Sequence, residues 1–250
     1  MGVCCAPGED LSGPAKDLPE PSTMGVSDVY RVFELGTLFA RTQFGHLEQA
    51  INKCKGEGST VSIDALADEM GTGLWLSAKK ADSPARQLLS QSMFQGEDSD
   101  ISAGTVDAEK LLIFGLLNSV DAKVPIKKAR AFFCILQDGG FETHAEIAAG
   151  DKDFIPAFKS FMHLTLHDLQ EAAKATGGVD AVYDEDELNT IDEAFEDFSE
   201  LFLEDVFGPR SRMPSEEWCQ AVAKGASWVF DPTKMREKIA DGAEVEKKFN

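Results

Sequence analysis

Long hydrophobic runs are missing from this sequence, and so are clusters of basic residues. No stretch is apolar for long enough to span a bilayer as a helix, and no secretory leader is visible, so neither a membrane-spanning nor a secreted protein is expected. Cysteine is sparse. Five residues, an odd number at irregular spacing, argue against a disulfide framework and for a reducing compartment. Cys54, Cys134 and Cys219 fall in apolar helical contexts and read as small core residues. Bases number 24 against 44 acids, a formal net charge of −20. Such an anion is a poor partner for nucleic acid and is repelled by an anionic inner leaflet. It suits a basic amphipathic partner helix, and equally a protein that is merely soluble. Only four histidines occur, His46, His144, His163 and His167. None lies in a nucleophile motif, and no Cys–His or Ser–His–Asp constellation can be drawn, so no enzyme is expected.

What is present begins with Met1-Gly2-Val3-Cys4-Cys5. With Met1 removed, Gly2 is a myristoylation acceptor and Cys4 and Cys5 are palmitoylation candidates beside it, although Ala6 stands where Ser or Thr is preferred. One acyl chain gives only marginal attachment, and no polybasic patch supplies the second signal: the next base is Lys16, among Glu9, Asp10 and Asp17. Cysteine acylation would have to do so. The expected location is peripheral, on the cytoplasmic face of a membrane. Residues 1–25 carry Pro7, Pro14, Pro19 and Pro21 among Gly, Ser and acids, the composition of a flexible tether.

From Ser27 onward the pattern is helical, without alternating strand-length runs. The apolar fraction of 43% with 17 Phe is enough for a core. Ser83-Pro84 opens a helix, and Leu111 to Leu117 is apolar nearly all round and should be central. Asp153 is expected to cap one long helix to about Lys174, stopped by Gly177-Gly178. Residues 184–205 hold eleven acids and no base, yet Leu188, Ile191, Phe195, Phe198 and Phe202 keep helical register. They predict one amphipathic helix with an acidic outer face that includes Glu193, Glu196, Asp197 and Glu200. His163 and His167 stand four apart, a metal-binding spacing, but the intervening residues lack a metalloprotease Glu and Asp168 is expected on another face. A solvated or capped pair is the expectation, with a metal-dependent enzyme as the alternative.

Four breaks between helices share one form, an apolar residue followed by a short polar run into a helix: Val61 before Leu66, Val106 before Leu111, Phe141 before Ile147, and Met213 before Trp218. Together they resemble four EF-hands. With Thr42-Gln43-Phe44, Lys128 to Phe132 and the lipidation start, their order over residues 42–230 resembles the neuronal calcium sensor and calcineurin-B-like proteins. The resemblance implies an all-α, EF-hand-like fold with two pairs of helix–loop–helix hands. They would be an N-terminal pair over 26–122 and a C-terminal pair over 123–250, with an extra helix (154–175) between the third and fourth hands. It also implies a groove that takes an amphipathic partner helix.

The loops depart from the calcium pattern, which needs oxygen ligands at positions one, three, five, seven and nine and a bidentate Glu at twelve. The first loop offers Cys54, Gly56, Gly58 and Ala65 at positions one, three, five and twelve; the second offers Ser99, Ile101, Ala103 and Lys110. The fourth offers Val206, Gly208, Arg210 and Glu217. The third, read from Phe141 with Glu146 at its end, is about two residues short of the usual twelve. Weak candidates for metal are Asp138 with Glu146, Glu217, and the trio Glu97, Asp98 and Asp100. No cofactor is expected, with calcium left open but poorly supported by these loops. The expectation is a membrane-anchored, non-catalytic adaptor or regulatory subunit, with a true calcium sensor as the alternative.

Overall fold

Side-chain caps start seven of the thirteen described α-helices. The computed structural model describes residues 28–55, 58–120, 125–137, 144–150, 154–176, 179–245 and 248. The proposed tether with Gly2, Cys4 and Cys5, together with Asp138 and Phe141, lies outside the described residues, as does the side chain of Glu196. Asp28 caps α1 (Val29–Gly36) by accepting from the amides of Tyr30 and Arg31. Helix α2 (Phe44–Lys55) leads into strand β1 (Thr60–Ser62). Ser62 then caps α3 (Ile63–Met70), which Gly71 ends in the left-handed conformation. Short helices α4 (Gly73–Ser77) and α5 (Pro84–Leu89) follow, the latter started by the expected Ser83-Pro84 pair. Strand β2 (Thr105–Asp107) ends on Asp107, which caps α6 (Ala108–Asn118).

The second half repeats the plan with more helices. Helix α7 (Pro125–Leu136) precedes β3 (Glu146–Ala148), then α8 (Phe154–Thr165) and α9 (His167–Ala175). A reciprocal capping box between Asp184 and Glu187 starts α10 (Glu185–Glu193). Helix α11 (Phe195–Phe207) runs into β4 (Arg212–Pro214), and α12 (Ser215–Gly225) and α13 (Pro232–Gly242) close the chain. The described part is mainly helical. Its strands are three residues each and pair only as β1 with β2 and β3 with β4, both antiparallel.

Two helix expectations need correction. The single helix foreseen over 154–174 breaks at Leu166, whose backbone leaves helical geometry at φ −137 and ψ −73. The single acidic helix over 184–205 is two, parted at Ala194. Neither break carries Gly or Pro, so no punctuation in the sequence signals it. The third helix–loop–helix unit is also displaced. Ile147, not Phe141, faces Met213 across the β3–β4 pair. Residues 137–145 therefore separate α7 from β3, where 56–59 and 208–211 serve in the first and fourth units. The segment is longer than the sequence reading expected, not shorter. With this register α8 stands in the place of the helix leaving the third unit, and the inserted material is α9 and α10.

One contiguous apolar core runs from Tyr30 to Ala243. In the first half Phe39 stacks with Phe94 and meets Trp75 and Phe114 edge-on. In the second, Phe132 meets Phe161, Trp218 and Phe230 at centroid distances of 4.4, 5.7 and 5.7 Å. Helix α8 packs against α6, α7, α11 and α13, and its Phe158, Phe161, Met162 and Leu164 are fully buried. As expected, α6 is buried almost all round. Cys219 is a buried thiol and Cys54 a half-buried one, but Cys134 is disulfide-bonded, so the reading of all three as small core residues does not hold for it.

Candidate functional site

The two strand pairs share one hydrogen-bond frame. Each strand centres on an apolar residue that faces its counterpart, Val61 opposite Val106 and Ile147 opposite Met213; counted in the loop register that the resemblance implies, these are eighth positions. At the tenth position, the Ile63 amide donates to the Gly104 carbonyl and the Ala108 amide to that of Ser59, each at 2.9 Å. The second pair repeats this: Ala149 donates to Ser211 and Ser215 to Ala145, each at 3.0 Å. Gly104, at the sixth position, holds φ +71, the conformation for which glycine is the natural residue at a sharp loop turn. Buried Val61, Val106, Ile147 and Met213 add an apolar lock to each pair.

In the loop register that the resemblance implies, the described side chains at and beside the ligand positions make other bonds. Asp100 accepts from the Ser102 hydroxyl and from the amides of Ser102 and Ala103, which holds its carboxyl below the ordinary range and folds its own turn. Asp98 accepts from the Ser59 hydroxyl at 2.8 Å, and Glu97 is exposed. Glu97, Asp98 and Asp100 do not converge as a set of ligands. Lys110 takes the twelfth position of the second loop, its amide bonded to Asp107. Glu217 is paired with Arg210 of its own loop. Glu146 lies in β3 at the seventh position, where the backbone carbonyl is the usual ligand, and its side chain is exposed. Glu193, Asp197 and Glu200 are exposed on α10 and α11, beside the two-fifths exposed Leu201.

Among the described residues, one group of three ligand-type side chains does converge: His163, His167 and Asp168, with ligand atoms within 4.8 Å of one another. The break at Leu166 brings this about. An unbroken helix would place Asp168 on another face; with the new helix starting at His167, the carboxylate reaches both rings. Asp168 Oδ1 lies 3.4 Å from His167 Nδ1 and 3.9 Å from His163 Nδ1. The rings sit 5.2 Å apart, and His163 also packs on Phe195 at 4.7 Å. Burial alone would raise the Asp168 carboxyl, but the two imidazoles outweigh it and hold the group well below the ordinary carboxylate range. His167 is raised, chiefly by its bond to Asp168. Of the expectation of a solvated or capped pair with Asp168 on another face, the placement of Asp168 is therefore corrected.

A second polar feature had no signal in the sequence. Arg236 on α13 is fully buried and forks onto two carboxylates of the α1 segment, its N-cap Asp28 and Glu34. Its Nε and Nη2 donate to Asp28 Oδ2 at 3.0 and 2.6 Å, and Nη1 donates to Glu34 Oε1 at 2.9 Å. Nη1 also reaches the Thr165 carbonyl at 2.9 Å. Gln170 completes the arrangement by accepting from the Tyr30 hydroxyl at 2.6 Å and from the amides of Val182 and Tyr183. A cleft of about 390 Å³ opens between the β1–β2 side and α7, lined by Lys55, Asp107, Leu112 and Ile135 among others.

No protein-family model matches the chain, and neither a curated protein nor a solved structure matches it. No helix among the described residues is long and apolar enough to cross a membrane.

Proposed function

We propose that this chain is an EF-hand-like, non-catalytic adaptor or regulatory subunit that works without calcium. On this reading it is held at the cytoplasmic face of a membrane by lipids on Gly2 and on Cys4 or Cys5, and it binds a basic amphipathic helix of a partner protein. The observation that carries the reading is the shared frame of the two strand pairs. Loop positions seven to ten bond alike in both, as paired EF-hands require, while the ligand positions hold Lys110, Ala65 and the Arg210–Glu217 pair. The exposed acids of α10 and α11 support the choice of a basic partner, because opposite charge speeds encounter and sets orientation. The lipid anchors rest on the sequence alone.

Two measurements test this. Calorimetric titration of the full chain with calcium at neutral pH is expected to give no micromolar isotherm and no increase in dye-accessible apolar surface. A micromolar isotherm with opening makes the protein a calcium sensor instead. In cells, Gly2→Ala is expected to release the protein to the soluble fraction; unchanged membrane association removes the anchor from the reading.

A further inference from the structure

We propose that His163, His167 and Asp168 bind a divalent transition-metal cation of the zinc class, with Asp192 orienting His163 from outside the coordination sphere. Two independent observations meet here. The first is convergence: one nitrogen from each ring and one carboxylate oxygen lie within 4.8 Å of one another. Zinc bonds of about 2.0–2.1 Å put tetrahedral ligand atoms roughly 3.3–3.4 Å apart. The His167 Nδ1–Asp168 Oδ1 distance of 3.4 Å already meets this, and the 3.9 Å from His163 Nδ1 needs only a small ring rotation. The second observation is an unmet demand. His163 Nε2 and Asp192 Oδ1 are shielded from solvent, lie 3.4 Å apart, and make no hydrogen bond.

A cation on the Nδ1 side answers both. Coordination through Nδ1 fixes the proton of His163 on Nε2, and a small rotation of the ring then turns that N–H onto the Asp192 carboxylate 3.4 Å away. A ligating histidine with a carboxylate on its other nitrogen is the common way a protein holds and orients such a ring. The donor set also selects the ion. Two imidazoles with one carboxylate suit zinc, copper or nickel, whereas calcium and magnesium take oxygen ligands. The side chains are 22%, 33% and 24% exposed, so an ion can enter and a water can complete the fourth position. Charge around the site favours a cation on balance: Asp192 and Glu171 join Asp168, against Lys110. The ion would tie the α8–α9 corner to α10, bracing the inserted segment. This site is separate from the strand-pair loops and does not depend on the adaptor reading.

The test uses the full chain made without a histidine tag, stripped with chelator and titrated with cobalt and then zinc. The expected result is one cobalt per chain with visible ligand-field bands, displaced by zinc and unmoved by excess calcium. Zinc affinity is expected to fall about 10–100-fold in Asp192→Asn, the cost typical of losing an outer carboxylate, and at least as far in His167→Gln. Far-UV circular dichroism reports whether each variant folds. Should His167→Gln fail to fold, Asp192→Asn, a partly exposed and isosteric change, decides alone. Absence of stoichiometric cobalt or zinc overturns the proposal, as does affinity unchanged in the folded variants.

Discussion

Removing the Arg236 guanidinium is expected to be among the most damaging single substitutions in this protein. Arg236, Asp28 and Glu34 are 0%, 2% and 0% exposed, so Arg236→Met leaves two carboxylates in the interior with their shared cation gone. Arg31 still reaches Glu34 at 3.0 Å, but no described cation other than Arg236 pairs with Asp28. The Thr165 carbonyl loses its donor as well. Breaking a buried, hydrogen-bonded ion pair from one side costs about 3–5 kcal/mol. In a chain of this size each kcal/mol lowers the melting temperature by roughly 2–4 °C, so a drop of about 10 °C is expected. Urea and thermal unfolding followed by circular dichroism measure it.

The same reasoning fixes the outcome of the combined variant. Asp28→Asn keeps an N-cap for α1 while removing the charge, since Asn caps as well as Asp. Joined with Glu34→Gln and Arg236→Met it removes all three buried charges, leaving only the partly exposed Arg31 without its carboxylate, and replacing a whole buried ionic group is often close to neutral. The triple variant is therefore expected to regain most of the lost stability. If Arg236→Met loses less than about 1 kcal/mol, or if the triple variant is as unstable as the single, the network is not the clasp described here.

Three further outcomes follow from the geometry. Gly104→Ala is expected to cost about 1 kcal/mol or more in urea unfolding, because an L side chain is strained at φ +71 and its Cβ would approach Arg86 Nη2 at 2.6 Å. The Cys219 thiol, pushed up to about 12 by burial, is expected to resist alkylation in native protein until the chain unfolds, whereas half-buried Cys54 reacts first. In metal-free protein, Asp168 lies below its unfolded value of 3.8, so its contribution holds above that pH and is lost as pH falls through the folded value. His167 lies above its unfolded 6.5, so its contribution holds below 6.5 and is lost as pH rises through the folded value. The stability difference between the parent and Asp168→Asn should therefore be greatest between about pH 4 and 6.5.

Local signals in the sequence located several helix starts and one buried helix correctly. Ser83-Pro84 and the all-round apolar α6 stand as the residues predict. Val61, Val106 and Met213 pair at the positions read from spacing. The third unit was misread because Phe141 and Ile147 are both apolar and both precede polar runs. Only cross-strand pairing chooses between them, and pairing is a long-range property. The break at Leu166 was hidden for a related reason. Propensity favours helix on both sides, and the tertiary packing of α9 against α1 and residues 92–94 overrides continuity. With that break unseen, Asp168 could not be placed beside the histidines. Arg236 reads in sequence as one more surface base of an amphipathic end. Its partners lie some two hundred residues away, beyond any periodic pattern.

The placement of α8 bears directly on whether an ion could drive this protein open. In the second half, opening a groove between the paired units would bring Phe158, Phe161, Met162 and Leu164 toward water, and all four are fully buried. At about 1.5–3 kcal/mol per large apolar side chain, exposing them forfeits roughly 6–12 kcal/mol. A ligand shifts such an equilibrium only by the difference in its affinity for the two states. About 5.5 kcal/mol already demands a 10⁴-fold difference, and 6–12 kcal/mol demands more. On the EF-hand-like reading, the loops that hold Lys110 at the bidentate position and spend Glu217 on Arg210 have no ligand set among their described residues from which to draw it. On the adaptor reading, then, a partner must bind the surface already displayed, where Glu193, Asp197 and Glu200 face solvent beside Leu201. Affinity for a basic helix should accordingly fall with rising salt and stay indifferent to chelators of calcium.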